Sequence, residues 1–328
     1  MIDDPLVTVL TPVYNGEPFL AECIESVLAQ DYSNWEYVIV NNCSTDGTLG
    51  LAEAYAERDR RIRVVKNSVF VNCAENYNNA FRQTSSESKY CKIISADDRL
   101  LPQSLGKMVR FAVRHPSVGI VGSYQQTKEK IKWQGLPKDV TVLSGREACR
   151  MGLLEGIHVF GNPTSVLYRS DLIRRTKSFF PHSEPHADTS ACYESLSGCD
   201  FGFIHEVLSF ERVHEGQVSA GVRRLGADYF AYLEILTQYG PQYLTEDELR
   251  ARREQLLDHY YRMLGAGLLK MKGRELREFH EPRLSRVGHA LDRKRVLIEA
   301  MRELARELQS PLTAMRKFKT ALAERDGF

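Results

Sequence analysis

The stretch VTVLTPVYNGEPFLAECIESVLAQDYSNWEYVIVNNCSTDG, residues 7–47, contains the pattern that decides the fold. It begins with a short apolar run at Val7–Thr11, continues with an amphipathic segment near 18–30, and returns to an apolar run at Trp35–Val40. Short runs rich in valine and isoleucine favour buried strands, whereas the longer amphipathic segment is typical of a helix. The stretch therefore predicts a strand–helix–strand unit with parallel strands.

The same alternation continues to about residue 122. The further strand candidates are Ile62–Lys66, Tyr90–Ser95 and Val118–Gly122, and the further helix candidates lie near 47–58, 73–84 and 101–115. This order predicts an α/β fold with a Rossmann-like, mixed and mostly parallel sheet flanked by helices. Ligands bind such sheets beyond the carboxyl ends of the strands, so we expect the first four strand-end loops to lie together.

The rest of the chain has a mixed segment followed by a helical one. Residues 125–143 lack periodicity, and Ser144 and Glu147 then fit a capping box that opens a helix. The other elements expected there are a strand at Thr164–Tyr168, a polar loop at 181–186, a helix near 188–196 and a strand pair near 201–212. After about residue 222 helix formers dominate, which predicts an α-helical C-terminal extension.

Composition places the chain among ordinary globular proteins. Of its 328 residues, 43% are hydrophobic and 27% charged, and the net charge of +1 argues against a protein that coats nucleic acid. The seven cysteines include no CxxC pair and are expected to stay reduced. No apolar run reaches the roughly 20 residues that span a bilayer, and the acidic start is unlike a signal peptide. We expect a cytoplasmic protein, with peripheral contact at the inner face of the membrane as the alternative.

Charge is divided unevenly along the chain. Residues 241–328 carry 19 Lys and Arg against 14 Asp and Glu, a net +5, whereas the rest carries 25 against 29, a net −4. A basic amphipathic helix in this region could rest on an anionic membrane. A solvated bundle face with i,i+4 ion pairs has the same composition and is the favoured interpretation. A homodimer that forms through the C-terminal helices is a third interpretation.

Four common motifs are absent from the sequence: GxGxxG after the first strand, GxxxxGK[ST], HExxH and GxSxG. Dehydrogenases, P-loop kinases, zincins and α/β-hydrolases therefore lose their main support. Polar, turn-forming loops follow three of the strands instead. They are Thr11-Pro-Val-Tyr-Asn-Gly-Glu17, Asn41-Asn-Cys-Ser-Thr-Asp-Gly47 and Ser95-Ala-Asp-Asp98.

The adjacent carboxylates of Asp97 and Asp98 come directly after an apolar run. Like charges side by side raise each other's pKa, so such a pair at the ligand edge of a sheet usually has a cation. Hard divalent ions such as Mg²⁺ or Mn²⁺ prefer carboxylate oxygens and bind phosphate oxygens as well. A nucleoside diphosphate meets that requirement.

In this order and spacing, the three loops resemble those of the family 2 glycosyltransferases with the GT-A fold, whose strands end in P-x-Y-N, D-D-x-S-x-D-G-T and x-x-D-D. The resemblance covers residues 6–123, weakens through 160–215 and ends near 222. It implies a GT-A domain at 1–221, with a nucleotide-binding half at 1–123 and an acceptor-binding half at 124–221, followed by the helical region 222–328.

The resemblance also implies a donor-nucleotide pocket. Its residues would be Thr11, Pro12, Tyr14, Glu17, Asn42, Asn76 and Asp97. Tyr14 would lie against the base. Asn42 replaces a carboxylate that accepts the imino proton of the base, and an amide can either accept or donate. A UDP- or dTDP-sugar is favoured, and cytosine and guanine stay open. Mn²⁺ or Mg²⁺ would be bound by Asp98 and His214.

Three later segments complete the site implied by the resemblance. Gly161 and Asn162 match the loop beneath the sugar, and Arg212 precedes His214 in an R-x-H element that closes over the diphosphate. Asp188 matches the general base that removes a proton from the acceptor hydroxyl. Glu184 is its substitute if the register differs.

The resemblance implies inverting transfer of a sugar from a nucleotide-diphosphate sugar to the hydroxyl of a glycan or lipid-linked acceptor, in polysaccharide, lipopolysaccharide or glycoconjugate assembly. A sugar nucleotidyltransferase is one alternative, although no Gly-rich loop with Arg and Lys follows the first strand. A non-catalytic donor-binding protein is the other. It is suggested by Asn41, Asn42, Ser95 and Ala187, which stand where acidic residues are usual.

Overall fold

The structure is a computed structural model that describes residues 4–156, 159–181, 186–214, 225–270 and 273–309, with the side chains of 307–309 excepted. By its internal contacts the chain divides into two compact units, Met1–Glu215 and Gly216–Phe328. The sequence placed this division at residues 221 and 222.

A single sheet forms the centre of the first unit. Its described strands are β1 (Val7–Val13), β2 (Trp35–Asn41), β3 (Ile62–Lys66), β4 (Tyr90–Ile93), β5 (Arg99–Leu100), β6 (Val118–Gln126), β7 (Ile131–Lys132), β8 (Val142–Leu143), β9 (Val166–Arg169) and β10 (Asp200–Phe210). The strand order is β3-β2-β1-β4-β9-β6-β10-β5, with β7 on β6 and β8 on β10.

The sheet is mixed and mostly parallel, as the sequence predicts. Strands β3, β2, β1 and β4 are parallel, β9 is antiparallel to β4 and β6, and β6 is parallel to β10. From β1 the chain first builds β2 and β3 on one side and later adds β4 on the other. The carboxyl end of β1 is therefore a topological switch point, where open α/β sheets bind their ligands.

Helices cover the sheet of the first unit. They are α1 (Glu17–Leu28), α2 (Thr48–Arg58), α3 (Cys73–Phe81), α4 (Ser104–Arg114), α5 (Gly145–Glu155), α6 (Ser170–Arg174) and α7 (Ala187–Ser195). In α1 the residues Leu20, Ile24 and Val27 are fully buried. Their i, i+4, i+7 spacing forms one apolar face, and each buried side chain stabilises the fold by about 1.5–3 kcal/mol.

One expectation for the later segment was wrong. The strand pair near 201–212 is the single strand β10, which follows β6 through register shifts after Asp200, Ile204 and Val207. The strand expected at Thr164–Tyr168 is confirmed as β9, which begins two residues later because Thr164 lies in a 3₁₀ turn, Pro163–Ser165, capped by the side chain of Asn162. The capping box of Ser144 and Glu147 is confirmed. Most of the polar loop at 181–186 lies outside the described residues.

The second unit is helical in its described residues. Its helices are α8 (Ala227–Tyr243), α9 (Glu246–Leu269), α10 (Gly273–Arg286) and α11 (Arg293–Gln309). Phe230, Leu233, Tyr260, Tyr261 and Leu284 form its core. None of the helices in the described ranges of the chain combines the length and the apolar composition needed to cross a lipid bilayer.

A buried histidine makes the stability of this unit depend on pH. The ring of His280 is 0% exposed; its Nδ1 accepts from the Tyr260 hydroxyl at 2.6 Å and its Nε2 donates to the Leu225 carbonyl at 2.8 Å. Burial lowers the pKa of His280 from 6.5 to about 4. A depressed pKa stabilises the fold above the unfolded pKa, and this contribution is lost as the pH falls towards the folded pKa.

We therefore expect the free energy of unfolding to fall by about 3 kcal/mol as the pH is lowered from 6.5 to 4, because the unfolded chain binds a proton at His280 that the folded chain does not. Urea titrations across this range measure it. His280→Gln should remove most of the decline, whereas His259→Gln, at an exposed position of α9, should keep it. Equal declines in the parent and in His280→Gln would contradict the prediction.

Candidate active site

The loops after β1 and β2 are tied to each other. Asn15 Oδ1 accepts from the Thr45 amide at 2.8 Å, and Glu17 Oε2 accepts from the Gly47 amide at 2.8 Å. The Glu17 carboxylate thus lies at the N-terminus of α2, where backbone N–H groups favour a negative charge. In this arrangement Glu17 joins the loop after β1 to the start of α2.

The β1 loop exposes one aromatic ring. Tyr14 is 49% exposed, and its ring meets that of Phe70 edge to face with centroids 4.8 Å apart. Thr11 and Pro12 are buried, and the Thr11 hydroxyl donates to the Ile94 carbonyl at 3.0 Å. Of these β1 residues, Tyr14 alone presents an open side chain. Sequence reasoning missed Phe70, although it lies in an apolar Val-Phe-Val run just after β3.

The amide of Asn42 is held in one orientation. Its Nδ2 donates to the Val71 carbonyl at 2.8 Å, and its Oδ1 accepts from the Val71 amide at 3.0 Å and from Asn67 Nδ2 at 2.9 Å. Because backbone groups fix which end is oxygen, the amide cannot be flipped. Both lone pairs of Oδ1 are used, so Asn42 has no acceptor left for the imino proton of a base.

Asn67 connects Asn42 to α3. Its Nδ2 also donates to Asn76 Oδ1 at 2.9 Å, and its Oδ1 accepts from Asn79 Nδ2 at 3.0 Å. Asn42 and Asn76 are therefore brought together through a shared partner. Asn67 was missed by sequence reasoning; its signal is its position directly after β3, at the same edge as the other loops.

Because the amide of Asn42 is held in one orientation, we expect a carboxylate at this position to destabilise the fold. In Asn42→Asp an oxygen would face the Val71 carbonyl that Nδ2 now contacts. We expect the free energy of unfolding to fall by about 1–3 kcal/mol, the cost of an unpaired buried polar group. Urea unfolding measures it. Asn72→Asp is the control, since Asn72 only accepts from the Glu75 amide as a helix cap, a role aspartate fills equally well. An unchanged stability of Asn42→Asp would contradict the prediction.

The two carboxylates of the acidic turn have different surroundings. Asp98 is 4% exposed, and its oxygens accept from Thr164 Oγ1 at 2.6 Å and from the Arg212 amide at 3.2 Å. Burial, with the neighbouring charge of Asp97 as the second cause, raises the pKa of Asp98 to about 8. Asp98 thus joins the turn to two other segments of the first unit.

A buried lysine lies beneath the acidic turn. Lys92 of β4 is fully buried, and its Nζ donates to the carbonyls of Thr164 and Val166 at 2.6 and 2.9 Å. Burial lowers the pKa of Lys92 to about 7, although the charge of Asp98 opposes this. Lys92 was missed by sequence reasoning; the available signal was a single lysine inside an otherwise apolar strand.

Asp97 is the more open carboxylate, and it has a histidine beside it. Its Oδ2 lies 3.2 Å from His214 Nε2, and its backbone carbonyl accepts from Arg212 Nε at 3.2 Å. The rings of His214 and Phe19 are 4.7 Å apart, and Arg212 pairs with Glu22 of α1. The structure therefore brings Asp97, Arg212 and His214 together, and it pairs His214 with Asp97 where the resemblance paired it with Asp98.

Gly161 and Asn162 shape the turn that holds Thr164. Gly161 has a φ of +72°, and a Cβ there would lie 2.0 Å from Ser165 Oγ. The Asn162 side chain accepts from the Ser165 amide at 3.1 Å. These two residues thus shape the turn from which the Thr164 hydroxyl donates a hydrogen bond to Asp98.

Asp188 is the second residue of α7 and is half-buried. Its Oδ1 accepts from the Thr189 amide at 2.8 Å. Glu184 lies outside the described residues.

The described residues contain no group of three or more His, Cys, Asp and Glu side chains arranged to hold a metal ion. Asp97 and His214 form a two-ligand set. Because Mg²⁺ and Mn²⁺ commonly take their other ligands from substrate phosphates and water, a carboxylate with an adjacent imidazole suits such an ion.

Comparison with known proteins identifies the family of the chain. The family model for glycosyl transferase family 2 matches residues 8–176. The putative glycosyltransferase EpsE of Bacillus subtilis is 36% identical over 38% of this chain and 44% of its own length. The putative teichuronic acid biosynthesis glycosyltransferase TuaG of the same organism is 35% identical over 33% of this chain and 42% of its own length. The chain thus spans less than half of the length of these relatives.

A solved structure shares the fold. The mannosyltransferase PcManGT from Pyrobaculum calidifontis, in complex with GDP-Man and Mn²⁺, superposes with a TM-score of 0.56 at 18% identity, covering 91% of this chain and 86% of that one. The GT-A fold expected from the sequence is confirmed. With the family model matching more than half of its residues, the chain belongs to glycosyl transferase family 2.

Proposed function

We propose that this protein is an inverting glycosyltransferase that moves a sugar from a nucleotide-diphosphate sugar to an acceptor hydroxyl. The observation that supports it best is the pairing of Asp97 with His214 at 3.2 Å, in the loop that follows β4, the neighbour of β1 at the topological switch point. A family 2 chain places a diphosphate at such an edge, and a carboxylate with an imidazole suits the ion that accompanies a diphosphate.

The donor would enter with its base at Tyr14. The exposed ring of Tyr14, with Phe70 at 4.8 Å, offers an aromatic face to a heterocycle. The resemblance favours a UDP- or dTDP-sugar. The occupied oxygen of Asn42 argues that recognition of such a base would use other groups than this side chain.

Asp97 and His214 are the proposed ligands of Mn²⁺ or Mg²⁺. Asp98 is less suited to direct ligation, because both of its oxygens already accept hydrogen bonds and burial disfavours its charge. We assign Asp98 the role of fixing the turn that carries Asp97. When bound, the ion would supply Lewis-acid stabilisation of the leaving diphosphate.

Arg212 and Asp188 are assigned the remaining steps. Arg212 lies beside Asp97, where its guanidinium can stabilise the charge on the leaving diphosphate. Asp188 would accept the proton of the acceptor hydroxyl as that oxygen attacks the anomeric carbon from the opposite face, which accounts for inversion. Binding both substrates in one cleft would supply much of the remaining rate enhancement.

The acceptor is proposed to be a glycan or a lipid-linked glycan of a polysaccharide. The relatives support this class, since TuaG carries teichuronic acid biosynthesis in its name. A cytoplasmic location, with peripheral contact at the inner face of the membrane, is proposed for the reaction.

A donor screen tests the proposal. The purified chain is incubated with UDP-, dTDP-, CDP- and GDP-sugars, with Mn²⁺ or with a chelator, and released nucleoside diphosphate is measured. We expect metal-dependent release from one class of donor. Pyrophosphate release from a nucleoside triphosphate and a sugar phosphate would instead show a nucleotidyltransferase. Metal-dependent binding without turnover, with glycan acceptors supplied, would show a donor-binding protein.

A further inference from the structure

Helix α11 exposes a stripe of large apolar side chains. Leu297, Met301 and Leu304 are 55%, 64% and 46% exposed, and Ile298 beside them is 43% exposed. Their spacing of three and four residues places them on one face of the helix. An exposed contiguous apolar patch of this kind marks a surface that contacts another molecule or a membrane.

Basic side chains extend and border this stripe. Arg293 stands one turn before Leu297, and Lys294 one turn before Ile298. Arg302 lies one turn after Ile298. Residues four apart lie on the same side of a helix, so the basic side chains lie in line with the apolar ones. The side chains of Arg293 and Arg302 are 66% and 63% exposed, and each is paired with an acid, Arg293 with Glu281 of α10 at 3.4 Å and Arg302 with Glu299 at 2.5 Å.

The two acids of α11 whose side chains the structure describes lie away from this face. Glu299 is only 9% exposed and pairs with Arg302 at 2.5 Å, while Glu303 is 33% exposed and pairs with Arg306 at 2.8 Å. Within residues 293–306, the exposed face therefore combines apolar and basic side chains without an exposed acid.

We infer that α11 docks on an anionic lipid surface, with Leu297, Ile298, Met301 and Leu304 among the acyl chains and its cations at the head groups. An amphipathic helix with Lys and Arg beside a large apolar face binds in this way. The sequence had favoured a solvated bundle face for this region. The exposure of the apolar stripe, which composition does not show, favours membrane contact over a solvated bundle face.

A second copy of the chain fits this face poorly. A two-fold contact places the same patch of both copies together, so the cations of one copy would oppose those of the other. No acid on the exposed face of residues 293–306 would pair them. The net charge of +5 over residues 241–328 adds to the repulsion and favours an anionic partner.

Vesicle sedimentation with the full chain tests the inference. The probes are vesicles of phosphatidylcholine alone and of phosphatidylcholine mixed with an equal amount of phosphatidylglycerol. We expect the protein to sediment with the mixed vesicles, to stay in solution with phosphatidylcholine alone, and to be released as salt screens the head-group charge. Failure of the parent protein to sediment with the mixed vesicles would overturn the inference.

Three variants assign the binding to α11. Met301→Glu should weaken vesicle binding at least about tenfold, because it removes apolar burial and adds a repelled charge. Lys294→Gln should weaken it about fivefold, the equivalent of about 1 kcal/mol per cation. Leu269→Glu, at a 37% exposed position ending α9, is the matched control and should bind fully.

Met301 is mostly exposed, so equal circular dichroism is expected in all variants; Lys294→Gln gives an independent result if Met301→Glu does not fold. Vesicle binding that is unchanged by both variants would refute the role of α11. A dimer of the parent that Met301→Glu dissociates would show instead that a second copy covers the stripe.

Discussion

Asp97→Asn is expected to lower the rate of sugar transfer about 10²–10³-fold, the usual loss when one preorganised electrostatic group is removed from the site of a developing charge. The amide keeps the shape of the side chain but loses the charge that faces His214 at 3.2 Å. Steady-state transfer with saturating donor measures the rate. Calorimetry with the nucleoside diphosphate, with and without Mn²⁺, measures the dependence of binding on the metal, which should largely disappear.

Asp139→Asn is the control for Asp97. Asp139 is an exposed acid of the same unit, so its removal matches the change in net charge without touching the acidic turn. It should keep parent activity. Parent-like transfer and metal-dependent binding in Asp97→Asn would exclude Asp97 as a metal ligand and would return that role to Asp98.

Asp188→Asn is expected to abolish measurable transfer, a loss of about 10²–10⁴-fold, while leaving binding of the donor nucleotide intact. The reason is that a general base acts on the acceptor proton and contributes little to holding the nucleotide. Asp188 lies at the start of α7, on an element that does not carry the acidic turn. Transfer assays and nucleotide titrations on the same preparation separate the two effects.

Glu194→Gln is the matched control, because it removes one negative charge from the same helix and should change neither quantity. If Asp188→Asn loses nucleotide binding together with transfer, Asp188 belongs to the donor pocket or to the fold, and another group must be the base. Retained transfer would have the same consequence for the assignment of the base.

Much of the fold followed from local pattern. The apolar run at Trp35–Val40 predicted β2 because a buried parallel strand must be apolar on both faces, and the run rich in Ile and Val at Ile62–Lys66 predicted β3, which is the partly exposed edge strand. The pattern failed at residues 201–212, where one long strand follows β6 through shifts in register. Register depends on which neighbour a strand meets, and no short window of sequence contains that neighbour.

The candidate site shows the same division. The polar loops that contain Tyr14, Asn42 and the acidic turn stood out because they follow apolar strands directly, and the family resemblance then implied roles for these residues. Lys92, Asn67 and Phe70 were missed because each contacts a residue that is distant in sequence, respectively Thr164, Asn42 and Tyr14.

The sequence by itself determined the alternation of strands and helices, the position of the polar loops and the family resemblance, because these depend on the order of residue types along the chain. Only the tertiary structure decided that Asn42 has no free acceptor, that Asp97 is the carboxylate beside His214, and that the apolar residues of α11 are exposed. Hydrogen-bond occupancy, burial and exposure are set by neighbours in space. Residues far apart in sequence supply those neighbours, and folding alone brings them together.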